Sequence, residues 1–149
     1  YEAWDDLVAL LSEGDNHQRA MAAQLLANLA AFSDPDKRVL RDGDALLAVT
    51  RDRRFVTARH SLLALWKVGL AGDEQRRWVV QALAARFHEC AGEKNGTLIR
   101  SDIIEDLALL YKAQPDESVR AAALALVAVE SDAKYRAKYA AVWRRTLAS

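Results

Sequence analysis

The sequence predicts an all-α fold of paired helices, and three observations carry that prediction. The first is composition: 29 alanines stand against 6 glycines and 2 prolines among 149 residues, the usage of helices that pack closely. The second is the missing strand signal. No stretch alternates apolar and polar with a period of two, and no Asn-Gly turn separates two such stretches, whereas apolar residues recur throughout at helical spacing. The third is a repeat of about 40 residues, with two helices in each copy.

The elements follow from the punctuation. "SEGDN", "SDPDK", "AGDE", "GEKNG" and "AQPDE" interrupt the helical pattern at regular intervals. Asp15, Asp73 and Asp116 suit helix N-caps, and Gly14, Gly72 and Gly92 suit helix stops. Between these marks the reading gives about eight helices in four pairs: 2–12 with 15–32, 42–51 with 54–71, 73–91 with 97–113, and 116–131 with 133–147.

Each second helix carries an arginine in the same place: Arg19, Arg59, Arg100 and Arg136. The third and fourth residues after each arginine are apolar in all four copies, and the seventh is Leu26, Trp66, Leu107 and Trp143. One slot breaks the pattern, because the sixth residue is Leu25, Leu65 and Val142 but Asp106 in the third copy. Either that repeat shifts its register by one residue, or a carboxylic acid is held where the others hold an apolar group. The shift is the favoured reading. A buried acid would have a perturbed pKa and become the first catalytic candidate.

The segments "DNHQRAMAAQLLANLA" and "DESVRAAALALVAV" resemble the HEAT-repeat pattern, in which an Asp is followed by an Arg and then by alanines and leucines at helical spacing. The pairs Asp15–Arg19, Asp116–Arg120 and Asp132–Arg136 share the spacing, and "RFVTARHSLLALW" is the least typical copy. The resemblance covers essentially the whole chain. It implies a right-handed α-α superhelix of about four HEAT-like hairpins, in which the repeat arginines tie neighbouring units together. It also implies a concave face lined by the second helices, which here would present Gln24, Asn28, His60, Lys67, Asp102, Glu105 and Lys138 to a partner.

Length and apolar content suffice for a single domain spanning 1–149, which is also compatible with a piece of a longer chain. The 21 basic and 21 acidic residues balance to a net charge of +0, unlike the basic excess of a dedicated nucleic-acid binder. Charges interrupt every apolar run, so no membrane span is expected. Cys90 is the only cysteine, which excludes an intramolecular disulfide and fits a cytoplasmic setting.

No set of residues reads as catalytic or metal-binding, and no cofactor is expected. His88, Glu89 and Cys90 are adjacent on a helix and diverge, whereas zinc needs converging ligands. His60 is read as an exposed residue. Asp102, Glu105 and Asp106 share one helix, and a solvated acidic face is the plainer reading. Arg51, Arg53 and Arg54 read as a solvated charge run before a helix. Trp4, Trp66, Trp78 and Trp143 read as core. No glycine-rich phosphate loop is present.

Charge is nevertheless segregated. Residues 1–17 hold five acids and no Lys or Arg, and residues 133–149 hold five bases and no Asp or Glu. In a solenoid these ends become opposite poles, and the basic one, with Lys134, Arg144 and Arg145, could dock an acidic partner or a second copy head to tail. The expected function is therefore a non-catalytic protein-interaction scaffold. The alternative is nucleic-acid binding, through a distant resemblance to HEAT-like alkylpurine DNA glycosylases that would cast Asp106 and Trp66 as carboxylate and aromatic. A third expectation, assistance to another enzyme or pigment protein, rests on a resemblance to the HEAT-like phycobilin lyases.

Overall fold

In the computed structural model, which describes residues 2–149, all regular structure among the described residues is helical. Among the described residues nine α-helices follow in order: α1 (Glu2–Glu13), α2 (Asn16–Phe32), α3 (Arg38–Arg41), α4 (Gly43–Val49), α5 (Phe55–Ala64), α6 (Asp73–Glu89), α7 (Gly96–Ala113), α8 (Glu117–Val129) and α9 (Ala133–Ala148). A 3₁₀ stretch, Leu65–Leu70, continues α5, and a shorter one, Cys90–Gly92, follows α6. Two compact units are distinguished, one ending at Val79 and one beginning at Val80, with the boundary inside α6.

The helix starts have local causes. Asp15 and Gln18 form a capping box, with the Gln18 amide donating to Asp15 Oδ1 at 2.8 Å and the Asp15 amide to Gln18 Oε1 at 2.9 Å. Asp116 caps α8 by accepting from the Ser118 amide, and Asp132 caps α9 by accepting from the Lys134 amide. Asp73, by contrast, lies in the first turn of α6, where an acid favours the helix dipole. The pattern also hides two features. The predicted helix 54–71 tightens into 3₁₀ geometry after Ala64, a frequent ending for an α-helix. The stretch before Asp42 contains α3, whose start is set by Lys37 in the left-handed region at φ 55° and by the Arg38 amide donating to Asp34 Oδ1 at 2.9 Å.

In the first unit, α2 packs against α1, α5 and the 3₁₀ stretch. Trp4 is buried, and its indole Nε1 donates to Asp42 Oδ2 at 2.8 Å. Burial pushes the Asp42 carboxyl up, but hydrogen bonds from Arg41 and Trp4 outweigh it and hold the group below the usual carboxylate range. Arg19 donates to the Gly14 carbonyl at the end of α1 and pairs with Asp52 ahead of α5, so it joins two hairpins. Gly43 opens α4 where a side chain has no room: a Cβ there would lie 2.4 Å from Trp78 Cζ2.

In the second unit, α7 packs against α8 and α9, and Ile103, Ile104, Leu107 and Leu110 are fully buried. Arg100 is buried and its needs are met from several sides. Its Nε donates to the Phe87 carbonyl at 2.9 Å, its guanidinium lies 4.3 Å from the Phe87 ring centre, and Nη1 stands 3.4 Å from Glu130 Oε2. The Tyr139 hydroxyl reaches Glu130 Oε1 at 3.4 Å, and burial beside Glu130 pushes that hydroxyl up to about 12. Arg136 donates to the Glu130 carbonyl at 2.7 Å. Arg86 closes the α6–α7 turn by bonding Glu93 at 2.6 and 2.9 Å and Glu89 at 2.8 Å.

Two outcomes follow. Gly43→Ala forces the Trp78 ring to shift and should lower stability by about 1–3 kcal/mol in a denaturant titration. Arg100→Leu leaves Glu130 buried without its cation and should cost about 3–5 kcal/mol, whereas the double change Arg100→Leu/Glu130→Leu should recover much of that loss.

Candidate functional site

The site begins with an inversion in α2. Its inner face is Ala22, Ala23, Leu26, Ala27 and Ala30, none more than 1% exposed. Its larger apolar side chains face outward: Met21 is 51% exposed, Leu25 40%, Leu29 40% and Phe32 90%. These four recur about one helical turn apart and form a single row. Val56 on α5 adds a further 68% exposed apolar group. Single exposed leucines are ordinary on a protein surface; a row of large apolar side chains on one helix face is a pattern that interaction surfaces share.

Two grooves run between α2 and the α5 segment. One, of about 310 Å³, is lined by Asn16, His17, Met21, Val56 and Thr57 among others. The other, of about 230 Å³, is lined by Asn28, Leu63, Ala64 and Lys67. Gln24 and His60 line both, so the two halves are continuous. Gln24 Nε2 and His60 Nδ1 meet at 3.4 Å at the waist, and Lys67 Nζ donates to Asn28 Oδ1 at 2.9 Å near one end. Four residues expected on a concave face, Gln24, Asn28, His60 and Lys67, are thus gathered here.

The other three belong to the second unit. Lys138 is exposed on α9 and Glu105 is half-buried, but Asp102 is only 3% exposed and presents no surface to a partner. Its neighbour Asp106 is 0% exposed, and neither of its carboxylate oxygens has a hydrogen-bond partner. The register shift favoured from the repeat pattern therefore does not occur: the acid sits in a slot that is also buried at Leu65 and Val142. The copy that departs is the first, whose Leu25 points outward. Burial pushes the Asp106 carboxyl well above the usual range, and the charges of Asp102 and Glu105 add to the effect. Asp106 is an acid enclosed in the fold, where burial favours its neutral form, and it lines neither groove.

Among the repeat arginines, Arg19 and Arg100 make the bonds described above, Arg136 holds the turn ahead of α9, and Arg59 is half-buried on α5. Lys134, Arg144 and Arg145 are all exposed on α9, with Lys134 Nζ 5.5 Å from the Tyr135 ring centre. Arg53 and Arg54 are exposed immediately before α5. The sequence reasoning missed Met21, Leu25, Leu29, Phe32 and Val56. The signal was present in α2, where alanines occupy one stripe and long apolar side chains another.

Among the described residues, no group of three or more His, Cys, Asp or Glu side chains is placed to hold a metal ion, and no helix is long and apolar enough to cross a membrane. No protein-family model matches the chain, and a search of curated proteins finds no match.

The buried acid has a pH signature. An unfolded Asp releases its proton near its ordinary value of about 3.9, while folded Asp106 keeps its proton to higher pH. Between those points the native state binds more protons than the unfolded state, so this group's contribution to stability falls as pH rises. Asp106→Asn should gain in stability on the native protein as pH increases from about 4 toward neutral. Thermal melts of both proteins across that range check it; a constant difference would contradict the assignment.

Proposed function

We propose that the chain is a non-catalytic protein-interaction scaffold of HEAT-repeat type, and that it binds its partner over the exposed apolar row of α2. The observation that carries this reading is the inversion in α2, with alanine on the inner face and Met21, Leu25, Leu29 and Phe32 on the outer one. A helix that had only to fold would gain by burying its large side chains, because each contributes roughly 1.5–3 kcal/mol on leaving water. Their exposure is explained if a partner covers them. In this reading the helix pairs stack as a right-handed α-α superhelix, α2 and α5 lie side by side on its concave face, and the protein acts in the cytoplasm, where the unpaired Cys90 stays reduced.

The nucleic-acid alternative is weaker on the same surface. Its carboxylate would be Asp106, which has no exposed area to offer a base. Polar and charged groups, rather than a row of leucines, dominate contacts to a phosphate backbone.

Affinity capture from lysate of the source organism tests the scaffold reading. The native chain should retain a defined protein, and Leu25→Arg/Leu29→Arg should retain at least tenfold less of it. Arg144→Glu/Arg145→Glu should retain it unchanged. Loss in the α9 variant alone moves the binding surface to the basic C-terminal helix, and capture of nucleic acid alone, released by modest salt, replaces the reading with the alternative.

A further inference from the structure

The charges segregated at the two ends of the sequence take no part in the α2 row, and they define a second surface. We infer that the cationic face of α9 docks the acidic face of α1 from a second copy of this chain, head to tail. Four observations lead to that occupant.

The first is the face of α9. Tyr139, Val142, Trp143 and Thr146 are buried. Lys134, Lys138 and Arg145 follow at intervals of four and seven residues, so they share one stripe on the other side of the helix, and Arg144 borders it. All four are exposed, with Ala137 and Ala141 among them. Residues 133–149 contain no Asp or Glu. Among the described residues, no acid pairs with Lys138, Arg144 or Arg145.

The second is the face of α1. Trp4 and Leu11 are buried, while Asp6 and Glu13 lie on the opposite, exposed side with Ala9 between them. Residues 1–17 contain no Lys or Arg. Asp5 is already matched by Arg41, and Asp15 caps α2. Asp6 and Glu13 are therefore the acids this face offers to a partner.

The third is spacing. Asp6 to Glu13 and Lys138 to Arg145 are both intervals of seven residues, about two helical turns or 10.5 Å at ~1.5 Å per residue. Side by side, the two helices set each acid against a cation. The alanines between the charges leave little bulk to hold the backbones apart.

The fourth is net charge. With 21 acids against 21 bases the chain carries +0, so copies meet without overall repulsion while the local charges orient them. A second copy accounts for both faces with one contact. A nucleic acid accounts for α9 and leaves the acidic face of α1 unexplained. Exposed ion pairs each contribute little, so the contact is weak and salt-dependent. Because the two surfaces differ, it builds open chains or rings.

Sedimentation velocity of the full chain over a concentration series tests the inference. At about 10 mM ionic strength, where charges act over about 30 Å, the native chain should associate; at about 1 M, where they act over about 3 Å, it should sediment as a monomer. Asp6→Lys/Glu13→Lys and Lys138→Glu/Arg145→Glu each set like charges together and should raise the concentration needed for association about tenfold or more. The variant with all four substitutions regains both the complementarity and the native net charge, and should associate again. Circular dichroism and thermal melts establish that the variants fold. A native chain that stays monomeric at low salt, association that survives either pair of substitutions, or a fourfold variant that fails to associate overturns the inference. So does association lost in Leu25→Gln/Leu29→Gln but kept in both charge-reversed pairs, which assigns the contact to the α2 row. Labelled duplex DNA bound through Lys138 and Arg145, with no self-association, replaces the second copy with nucleic acid.

Discussion

The first unit depends on how closely α2 can approach its neighbours. Ala22, Ala23, Ala27 and Ala30 put methyl groups on its inner face beside the single larger side chain of Leu26, and α1, α5 and the 3₁₀ stretch close in on them. Small side chains permit that close approach, while the helical period carries Met21, Leu25, Leu29 and Phe32 outward. The same helix therefore builds the core with one stripe and sets out an exposed apolar row with another.

The second unit solves a different problem. Its central helix, α7, is buried on most sides yet carries Arg100, Asp102 and Asp106. Arg100 is reconciled with burial by the carbonyl and ring face of Phe87 on α6 and by the carboxylate of Glu130 at the end of α8. For Asp106 burial without a partner favours the protonated form. Matching by partners and loss of charge are the two routes open to an ionisable group in a low-dielectric interior.

Much of the helical layout was legible in the sequence. Alanine content, the spacing of turn residues and the caps at Asp15 and Asp116 place the major helices within a few residues of their observed bounds. What escaped was governed by interactions that do not appear as periodicity. The helix α3 rests on one left-handed residue, Lys37, and on a side-chain bond from Asp34. The burial of Asp106 was masked because an acid in an apolar slot is more economically explained by slippage, and only three-dimensional packing tells the two apart. The groove was half legible: Gln24, Asn28, His60 and Lys67 follow from projecting the helices. The apolar row does not, because Leu25 falls in the same repeat position as the buried Leu65 and Val142.

The single cysteine lies in the second unit, its thiol buried and pushed up in pKa by that burial. A thiol in that state reacts only when the surrounding structure opens. Three of the four tryptophans, Trp4, Trp66 and Trp78, lie instead in the first unit. The chain thus carries its own pair of reporters. Thiol labelling follows the breathing of the second unit, indole fluorescence is dominated by the first, and the order in which the two signals change on heating reveals whether the halves melt as one cooperative body or in succession.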